Sequence, residues 1–415
     1  MEDITFALSF FWEKLPLIIL FTSAFFVSRL LVVKELTDYF VVYFLKKSNG
    51  HVTTLFLYVI FSAGIVSLFI PNMVAVLTLL PIIKTIQEDF DKLEVKGFCP
   101  TTVLTLLIIY GSNIGGLGSI TGSPASLLLL GALELHNVPG RENINFLNWL
   151  IWGLPLAFVF ILTAWFILMK LAVPKELKNS TIHFELLQNK LNLSECQRFA
   201  LRVFLFFFLF WVVDSFISSV SSDWKIFEPI VAIIFLVIFS YLSFGKKNED
   251  GKVLMKISDI FNGLPLRGFL FVIALVFFIV VIREFGIDRM IVEVLKEFIG
   301  HFRWNVWLFF LFLTLVVIFL TEFLSNTIVS LAFFSVAYYS AESLGVNPIP
   351  LMMTVALAST CAFMTPIATP ANALAYGEMR GTSLKRMMLY GFILNIAGAL
   401  LFTFWLNLII PHLYY

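Results

Sequence analysis

Four short polar stretches interrupt this apolar chain, and their side chains are the ones that could bind a solute. Two of them are rich in Gly, Ser, Thr and Pro and cover residues 112–124 and 365–372. The other two are centred on asparagine, at Pro71-Asn72 and at Ser325-Asn326-Thr327. Neutral hydroxyl, amide and carbonyl oxygens are ligands that a hard cation prefers. The residue types therefore predict ion and solute binding, and they include no nucleophile, carboxylate pair or metal cluster of an enzyme.

The composition places these stretches in a membrane. Hydrophobic residues make up 60% of the chain and charged residues 13%, against roughly 25% charged in a soluble domain. Backbone that leaves a helix inside hydrocarbon costs several kcal/mol per unpaired amide unless protein or a water-filled cavity satisfies it. Helix breaks at matching places in two halves of a chain are the best sequence indication of a midplane site in a secondary transporter. We therefore predict an all-α integral membrane protein with such a site.

The apolar segments predict how the chain crosses the bilayer. A helix of about 20 residues spans roughly 30 Å of hydrocarbon. Eight crossings are predicted, at 15–33, 99–136 with a break, 148–171, 199–221, 226–244, 266–283, 346–378 with a break, and 387–410. Two more stretches, 52–87 and 304–345, carry an asparagine motif at the centre and charges at both ends. We expect each of these to be a re-entrant hairpin that enters and leaves on one side.

A polar segment at 173–198 divides the chain into two halves, 1–172 and 199–415. Each half contains a predicted interfacial helix, at 36–47 or 284–303, then a hairpin, a broken helix and a final span. An odd number of crossings separates corresponding elements, so the two halves have opposite topology. The pattern predicts an inverted repeat.

Charge predicts the orientation and excludes one class of partner. Most Lys and Arg residues of the short loops, and those of the 173–198 segment, fall on one side of the eight-crossing scheme, which is expected to be cytoplasmic. Both termini are then expected outside a plasma or bacterial inner membrane. The start, Met1-Glu2-Asp3, lacks the basic region of a signal peptide, so the first span is expected to direct insertion. A net charge of +1 offers no basic face for nucleic acid.

Three motifs resemble those of the divalent anion:sodium symporter family of the ion transporter superfamily. They are Ile114-Gly-Gly-Leu-Gly-Ser-Ile-Thr-Gly-Ser-Pro124, Thr321-Glu-Phe-Leu-Ser-Asn-Thr327 and Ala362-Phe-Met-Thr-Pro-Ile-Ala-Thr-Pro-Ala-Asn-Ala373. The resemblance covers about residues 50–410. It implies a homodimeric transporter of elevator type, which moves dicarboxylates, tricarboxylates or sulfate together with Na⁺ as coupling ion through a lipid bilayer.

The resemblance also implies the residues of the site. The first Na⁺ site would use Ser67, Asn72 and the carbonyls of Gly115 to Gly118, and the second would use Thr321, Ser325, Asn326 and the carbonyl of Ala368. The anion would lie between the two hairpin tips. Its predicted contacts are Asn72, Ser123, Pro124, Asn326, Thr327, Thr369 and Pro370. Because none of these stretches contains Lys or Arg, co-bound cations and the positive N-terminal ends of half-helices must neutralise the anion.

One departure from the family motif keeps an alternative open. The first hairpin reads Pro71-Asn72-Met73 where the family has Ser-Asn-Thr, which removes two hydroxyls. A cation/proton antiporter or an oxyanion efflux permease of the same superfamily is therefore the alternative. An antiporter would need an intramembrane carboxylate, for which Glu322 and Asp214 are candidates. A channel or a membrane enzyme finds no support in the residues.

Overall fold

The protein is almost entirely helical. A computed structural model describes residues 2–92, 98–182, 192–221, 223–246, 253–261 and 305–414, together with positions 293 and 297. The predicted all-α integral membrane architecture is confirmed at this level. The predicted span 266–283 and the predicted amphipathic helix 284–303 lie outside the described residues, apart from those two positions.

Eight α-helices are described before the second half, and the last of them lies in the 173–198 segment. They are α1 (Glu2–Val33), α2 (Leu36–Lys46), α3 (Val52–Ser67), α4 (Asn72–Asp91), α5 (Pro100–Gly115), α6 (Pro124–Leu135), α7 (Phe146–Leu171) and α8 (Lys175–Lys178). A short 3₁₀ turn, Arg141–Asn143, lies between α6 and α7.

Nine α-helices form the described part of the second half. They are α9 (Glu195–Val220), α10 (Trp224–Ser240), α11 (Ile257–Phe261), α12 (Val306–Thr321), α13 (Asn326–Leu344), α14 (Pro348–Ala358), α15 (Pro370–Glu378), α16 (Leu384–Leu408) and α17 (Ile410–Tyr414). A π-helical turn, Tyr241–Gly245, extends α10.

Among the residues that the structure describes, five segments are long and apolar enough to cross a membrane. They are Phe11–Val33, Phe146–Leu171, Glu195–Val220, Trp224–Gly245 and Leu384–Tyr414. Each matches one predicted uninterrupted crossing. Large apolar side chains such as Phe216 and Ile226 are exposed on α9 and α10, as expected of helices whose solvent is lipid rather than water.

All four predicted polar stretches are helix breaks. The gap between α3 and α4 is 68–71, that between α5 and α6 is 116–123, that between α12 and α13 is 322–325, and that between α14 and α15 is 359–369. Two of these breaks restart on a capped proline turn. Ser123 Oγ accepts the N–H of Ala125 at 3.2 Å, and Thr369 Oγ1 accepts the N–H of Asn372 at 3.0 Å. A hydroxyl N-cap followed by proline is a strong local signal for a helix start.

The half-helices that follow the breaks pair across the two halves. Helix α4 packs against α15, and α13 packs against α6. Lys84 of α4 forms an ion pair with Glu378 at the end of α15, with Nζ and Oε2 2.7 Å apart. The ring of His136, at the end of α6, stacks on Tyr338 of α13 at 4.2 Å between centroids. The half-helix after each asparagine break therefore contacts the half-helix after the Gly-rich or Pro-rich break of the opposite half.

Candidate functional site

The second asparagine motif forms a cluster of oxygen atoms. Thr321 Oγ1 lies 2.6 Å from Asn326 Oδ1 and 2.7 Å from the carbonyl oxygen of Ser359. Thr321 ends α12, Asn326 begins α13 and Ser359 follows α14, so two helix breaks meet here. A hydroxyl has one proton, and it is shared between two acceptors. The cluster therefore has an excess of lone pairs, which suits a hard cation.

The first asparagine motif contains an equivalent pair of a hydroxyl and an amide side chain. Ser67 Oγ donates a hydrogen bond of 2.7 Å to Asn72 Oδ1. The spacing of five residues equals that between Thr321 and Asn326. The Gly-rich break lies directly against this pair, because a Cβ atom on Gly116 would lie only 2.9 Å from Asn72 Oδ1. Glycine at this position lets the backbone of the break approach the amide.

Three amide side chains, of which Asn113 and Asn372 are buried and Asn72 is half-buried, connect α4 to α15. Asn72 Nδ2 donates to Asn113 Oδ1 at 3.1 Å, and Asn113 Nδ2 donates to Asn372 Oδ1 at 3.1 Å. Thr369 Oγ1 also donates to Asn372 Oδ1, at 2.9 Å. We name these five residues, Ser67, Asn72, Asn113, Asn372 and Thr369, the amide chain. Buried amides that satisfy each other in this way fix the relative position of the elements that carry them.

Sequence reasoning did not nominate Asn113 or Asn372 as site residues. Both are buried, and Nδ2 of each also donates to the carbonyl of Ala362, at 3.2 Å from Asn113 and 2.8 Å from Asn372. The amino-acid sequence did contain an indication of their importance, because an asparagine inside a Gly-rich or Pro-rich break needs hydrogen-bond partners that hydrocarbon cannot supply. The contact of Asn113 with Asn372 and that of Asn113 with Ala362 join residues more than 200 positions apart.

Glu322 is the acceptor for the backbone N–H groups that the fourth break leaves free. Its side chain is 0% exposed. Oε1 accepts the N–H groups of Phe363 and Met364 at 2.7 and 2.8 Å, and Oε2 accepts that of Thr365 at 3.0 Å. Asn395 of α16 donates to Oε1 at 2.8 Å. The carboxylate therefore holds the 322–325 break, the 359–369 break and α16 together.

The remaining predicted ligands lie at the breaks in different environments. Gly115, Gly118 and Ala368 are buried, and their backbone forms part of the breaks or their edges. Pro124 and Pro370 are exposed in the first turns of α6 and α15. Ser325 is exposed and does not cap α13, and Thr327 is half-buried. The assignment of all these residues to ion or anion binding stays a prediction.

The breaks contain little charge. Glu322 is the one charged residue in the stretches 67–73, 112–124, 321–327 and 362–373. Helices α4, α6, α13 and α15 all begin at breaks, and a helix N-terminus carries about half a positive charge and unpaired N–H groups. The favourable potential for an anion therefore comes from backbone and not from basic side chains.

The second candidate carboxylate, Asp214, lies on a helix that adjoins none of the four breaks. Asp214 of α9 is buried and accepts the indole N–H of Trp224 of α10 at 3.0 Å. Glu228, also on α10, accepts the hydroxyl of Ser218 at 3.3 Å. Helices α9 and α10 contact each other, and both contact α1. These contacts fit the pairing of Asp214 with a neighbouring helix.

The fold and its interrupted helices define an integral membrane transporter. The chain belongs to the family described as the sodium:sulfate symporter transmembrane region, whose model matches residues 2–411. The family resemblance and the expectation that the protein is not an enzyme are thus confirmed.

Two relatives illustrate the similarity. The sodium-dependent dicarboxylate transporter SdcS of Staphylococcus saprophyticus is 25% identical over 84% of this chain and 68% of its own length. A protein of Haemophilus influenzae, described as an uncharacterized transporter, is 25% identical over 94% of this chain and 82% of its own. Both are similar along most of their length.

Proposed function

We propose that this protein is a sodium-coupled secondary transporter of a small divalent anion of the dicarboxylate, citrate or sulfate class. Its family supports the proposal, and so does the activity for which a relative is named, sodium-dependent dicarboxylate transport. The observation that carries the proposal is the repeated hydroxyl–amide pair, Ser67 with Asn72 and Thr321 with Asn326, at two helix breaks. Neutral oxygen clusters of this kind suit Na⁺.

The neutral site gives a physical reason for coupling. A divalent anion that leaves water needs compensating charge, because burying an uncompensated charge is very costly. The breaks supply half-helix N-termini and no Lys or Arg. Na⁺ at the two oxygen clusters would supply the missing positive charge. We therefore propose that Na⁺ binds first and completes the anion site between Asn72 and Asn326.

We also propose the inverted repeat and an elevator movement. The order of elements supports the repeat, and so do the hydroxyl–amide pairs of equal spacing. The cross-pairing of α4 with α15 and of α13 with α6 supports one moving body made of both hairpins and both broken helices. Helices α1, α9 and α10, which contact one another, would form the stationary part. A homodimer in the inner membrane, with both termini outside, completes the proposal.

The alternative of a proton-coupled antiporter needs a carboxylate that exchanges protons during transport. Glu322, the carboxylate at the breaks, accepts four N–H groups and serves as a structural anchor. This arrangement favours the sodium-coupled proposal.

Flux into proteoliposomes tests the proposal. Succinate, malate, citrate and sulfate are offered with an inward Na⁺ gradient, with a pH gradient, and with neither. We expect uptake of at least one of these anions to require the Na⁺ gradient. Uptake that ignores Na⁺ and follows the pH gradient would favour the antiporter instead.

A further inference from the structure

The first Gly-rich break is held from outside by a tryptophan. Trp149 lies in the first turns of α7 and is fully buried. Its indole Nε1 donates a hydrogen bond of 3.0 Å to the carbonyl oxygen of Leu117, which lies inside the 116–123 break. Leu117 itself is buried, so its carbonyl has no access to bulk water.

This hydrogen bond meets a need that the break creates. The N–H groups of Leu117 and Gly118 turn back to the carbonyls of Ile114 and Gly115, at 3.1 and 3.0 Å. The carbonyls that follow the last helical turn lack the N–H donors of a continuing helix. A buried carbonyl without a donor is unfavourable. Trp149 therefore fixes the direction in which this segment of backbone presents its oxygens.

Helix α7 is shaped to fit the break. A Cβ atom on Gly153, one turn after Trp149, would lie 3.2 Å from the carbonyl oxygen of Gly118. A Cβ atom on Gly118 would lie 3.3 Å from Cβ of Ala157 and 2.7 Å from Cδ2 of Leu68. Trp149, Gly153 and Ala157 follow the four-residue spacing of one helix face. This face of α7 therefore forms a wall against the backbone of the break.

The second half holds its break by a different device. Glu322 follows Thr321 directly and accepts the backbone N–H groups of the 359–369 break. The residue in the same position of the first half, after Ser67, is Leu68, which has no polar side-chain atom. The 116–123 break thus lacks a carboxylate anchor from the preceding asparagine motif. Trp149 of α7 anchors this break through its hydrogen bond to Leu117.

We propose that Trp149 is a positioning residue for the first Na⁺ site. Its N–H fixes the Leu117 carbonyl and, through it, the adjoining backbone from Gly115 to Gly118. The same segment brings Gly116 against Asn72 Oδ1. The proposal rests on the sodium-coupled function proposed above. It adds a residue of α7 that touches neither ion nor anion and sets the affinity for Na⁺.

The test compares Trp149→Phe with Trp152→Phe. Trp152 is a matched control on the same helix, because it is equally buried and its Nε1 also donates a 3.0 Å hydrogen bond, to the hydroxyl of Tyr414. The two indole rings are in contact, with centroids 4.7 Å apart. Each change removes one indole N–H and keeps an aromatic ring, so non-specific packing losses are similar.

The readout is uptake into proteoliposomes at varied Na⁺ and saturating anion. We expect Trp149→Phe to raise the Na⁺ concentration for half-maximal uptake by roughly threefold to tenfold, the effect of one hydrogen bond. The maximal rate should change less than twofold. Trp152→Phe should leave the half-maximal Na⁺ concentration unchanged. Trp149→His, which keeps a ring N–H, should recover part of the lost affinity.

One further variant completes the test. Gly153→Ala adds a methyl group against the Gly118 carbonyl, and it should also raise the half-maximal Na⁺ concentration. This variant replaces Trp149→Phe in the test if Trp149→Phe does not fold. An unchanged half-maximal Na⁺ concentration in the folded variants, or an equal increase in Trp152→Phe, would overturn the proposal. Sodium-independent uptake by the unaltered protein would instead refute the proposed function, so the two failures are distinguishable.

Discussion

At the scale of single residues, the two asparagine motifs are alike at the centre and unlike at the flanks. Asn72 and Asn326 each pair with a hydroxyl five residues earlier. Asn326 is flanked by Ser325 and Thr327, whereas Asn72 is flanked by Pro71 and Met73. Met73 is 47% exposed beside Asn72. One half of the site therefore offers two more hydroxyls than the other.

This difference predicts that Met73 limits the affinity for oxyanions. Met73→Thr should lower the KM for sulfate by roughly threefold to tenfold, because the new hydroxyl adds one hydrogen bond to the anion. Leu77→Thr, one turn further along α4 and similarly exposed, is the matched control and should leave the KM unchanged. Equal effects of the two substitutions on sulfate uptake would show that the position of the hydroxyl is irrelevant.

Glu322 should behave as an anchor and not as a proton carrier. Glu322→Gln keeps one carbonyl oxygen for Phe363, Met364 and Asn395 but turns an amide N–H toward the N–H of Thr365. We expect this clash to lower the free energy of unfolding by about 1–3 kcal/mol, measured as a lower melting temperature in detergent. Glu228→Gln, which alters a half-buried carboxylate on α10, should shift it less. A stable Glu322→Gln protein whose uptake has lost only its pH dependence would contradict this role.

Sodium-driven uptake should depend more on Asn326 of the second asparagine motif than on Asp214 of α9. Asn326→Ala removes Oδ1, which accepts the Thr321 hydroxyl, from the proposed second Na⁺ cluster, so Na⁺-dependent uptake should fall at least about tenfold, the effect of one lost polar contact to a charged group. Asp214→Asn keeps an acceptor for the Trp224 indole and should retain uptake. Loss of uptake in Asp214→Asn with retention in Asn326→Ala would support the antiporter.

Residue patterns predicted some of these contacts and missed others. The spacing of Ser67 to Asn72 and of Thr321 to Asn326 is local, so the amino-acid sequence alone is sufficient to match the two pairs. The partners of Asn113 lie on α4, on α15 and in the 359–369 break, and those of Glu322 lie in the same break and on α16. These contacts depend on tertiary packing that no local pattern contains. The role of Trp149 was hidden for the same reason, since an indole in an apolar span is usually a packing residue.

At the scale of helices, the pairing across halves predicts which elements move together. The Lys84–Glu378 ion pair joins α4 to α15, which lie within the proposed moving body. Lys14 of α1 instead contacts Glu134 of α6 at 2.6 Å, and Arg141 also contacts Glu134, at 3.0 Å. The contact of Lys14 with Glu134 connects the proposed stationary part to the moving body.

Crosslinking should therefore have opposite effects at these two contacts. A disulfide between cysteines at positions 84 and 378 should leave Na⁺-driven uptake within about twofold of the reduced protein, since it joins parts of one rigid body. A disulfide between cysteines at positions 14 and 134 should arrest uptake, and reduction should restore it. Full activity of the oxidised 14–134 variant would contradict the proposed movement.

The helix breaks themselves were predicted well, and the boundaries of the helices less so. Gly, Pro and a hydroxyl N-cap mark a helix start through local chemistry, which is why all four breaks overlap the polar stretches. The pairing of α4 with α15 and of α13 with α6 has no such local signal. It follows from packing between segments far apart in the sequence.

At the scale of the whole molecule, composition and hydropathy were sufficient for the class. A chain with 60% hydrophobic residues, and with five long apolar helices in its described part alone, is an integral membrane protein, and its family makes it a transporter. In the proposed function, the substrate is decided by a few contacts near Asn72 and Asn326. The relative SdcS is 25% identical to this chain, a level of identity at which the residues of a binding site can differ.

The central claim is that Na⁺ creates the anion site in a region without basic side chains. Calorimetric titration of the purified protein with succinate and with sulfate, in Na⁺ and then in choline at equal ionic strength, tests it directly. We predict binding of at least one anion in Na⁺ and an affinity at least about a hundredfold lower in choline, the loss of roughly 2.7 kcal/mol of ion-dependent binding energy. Equal affinity in Na⁺ and choline would contradict the account.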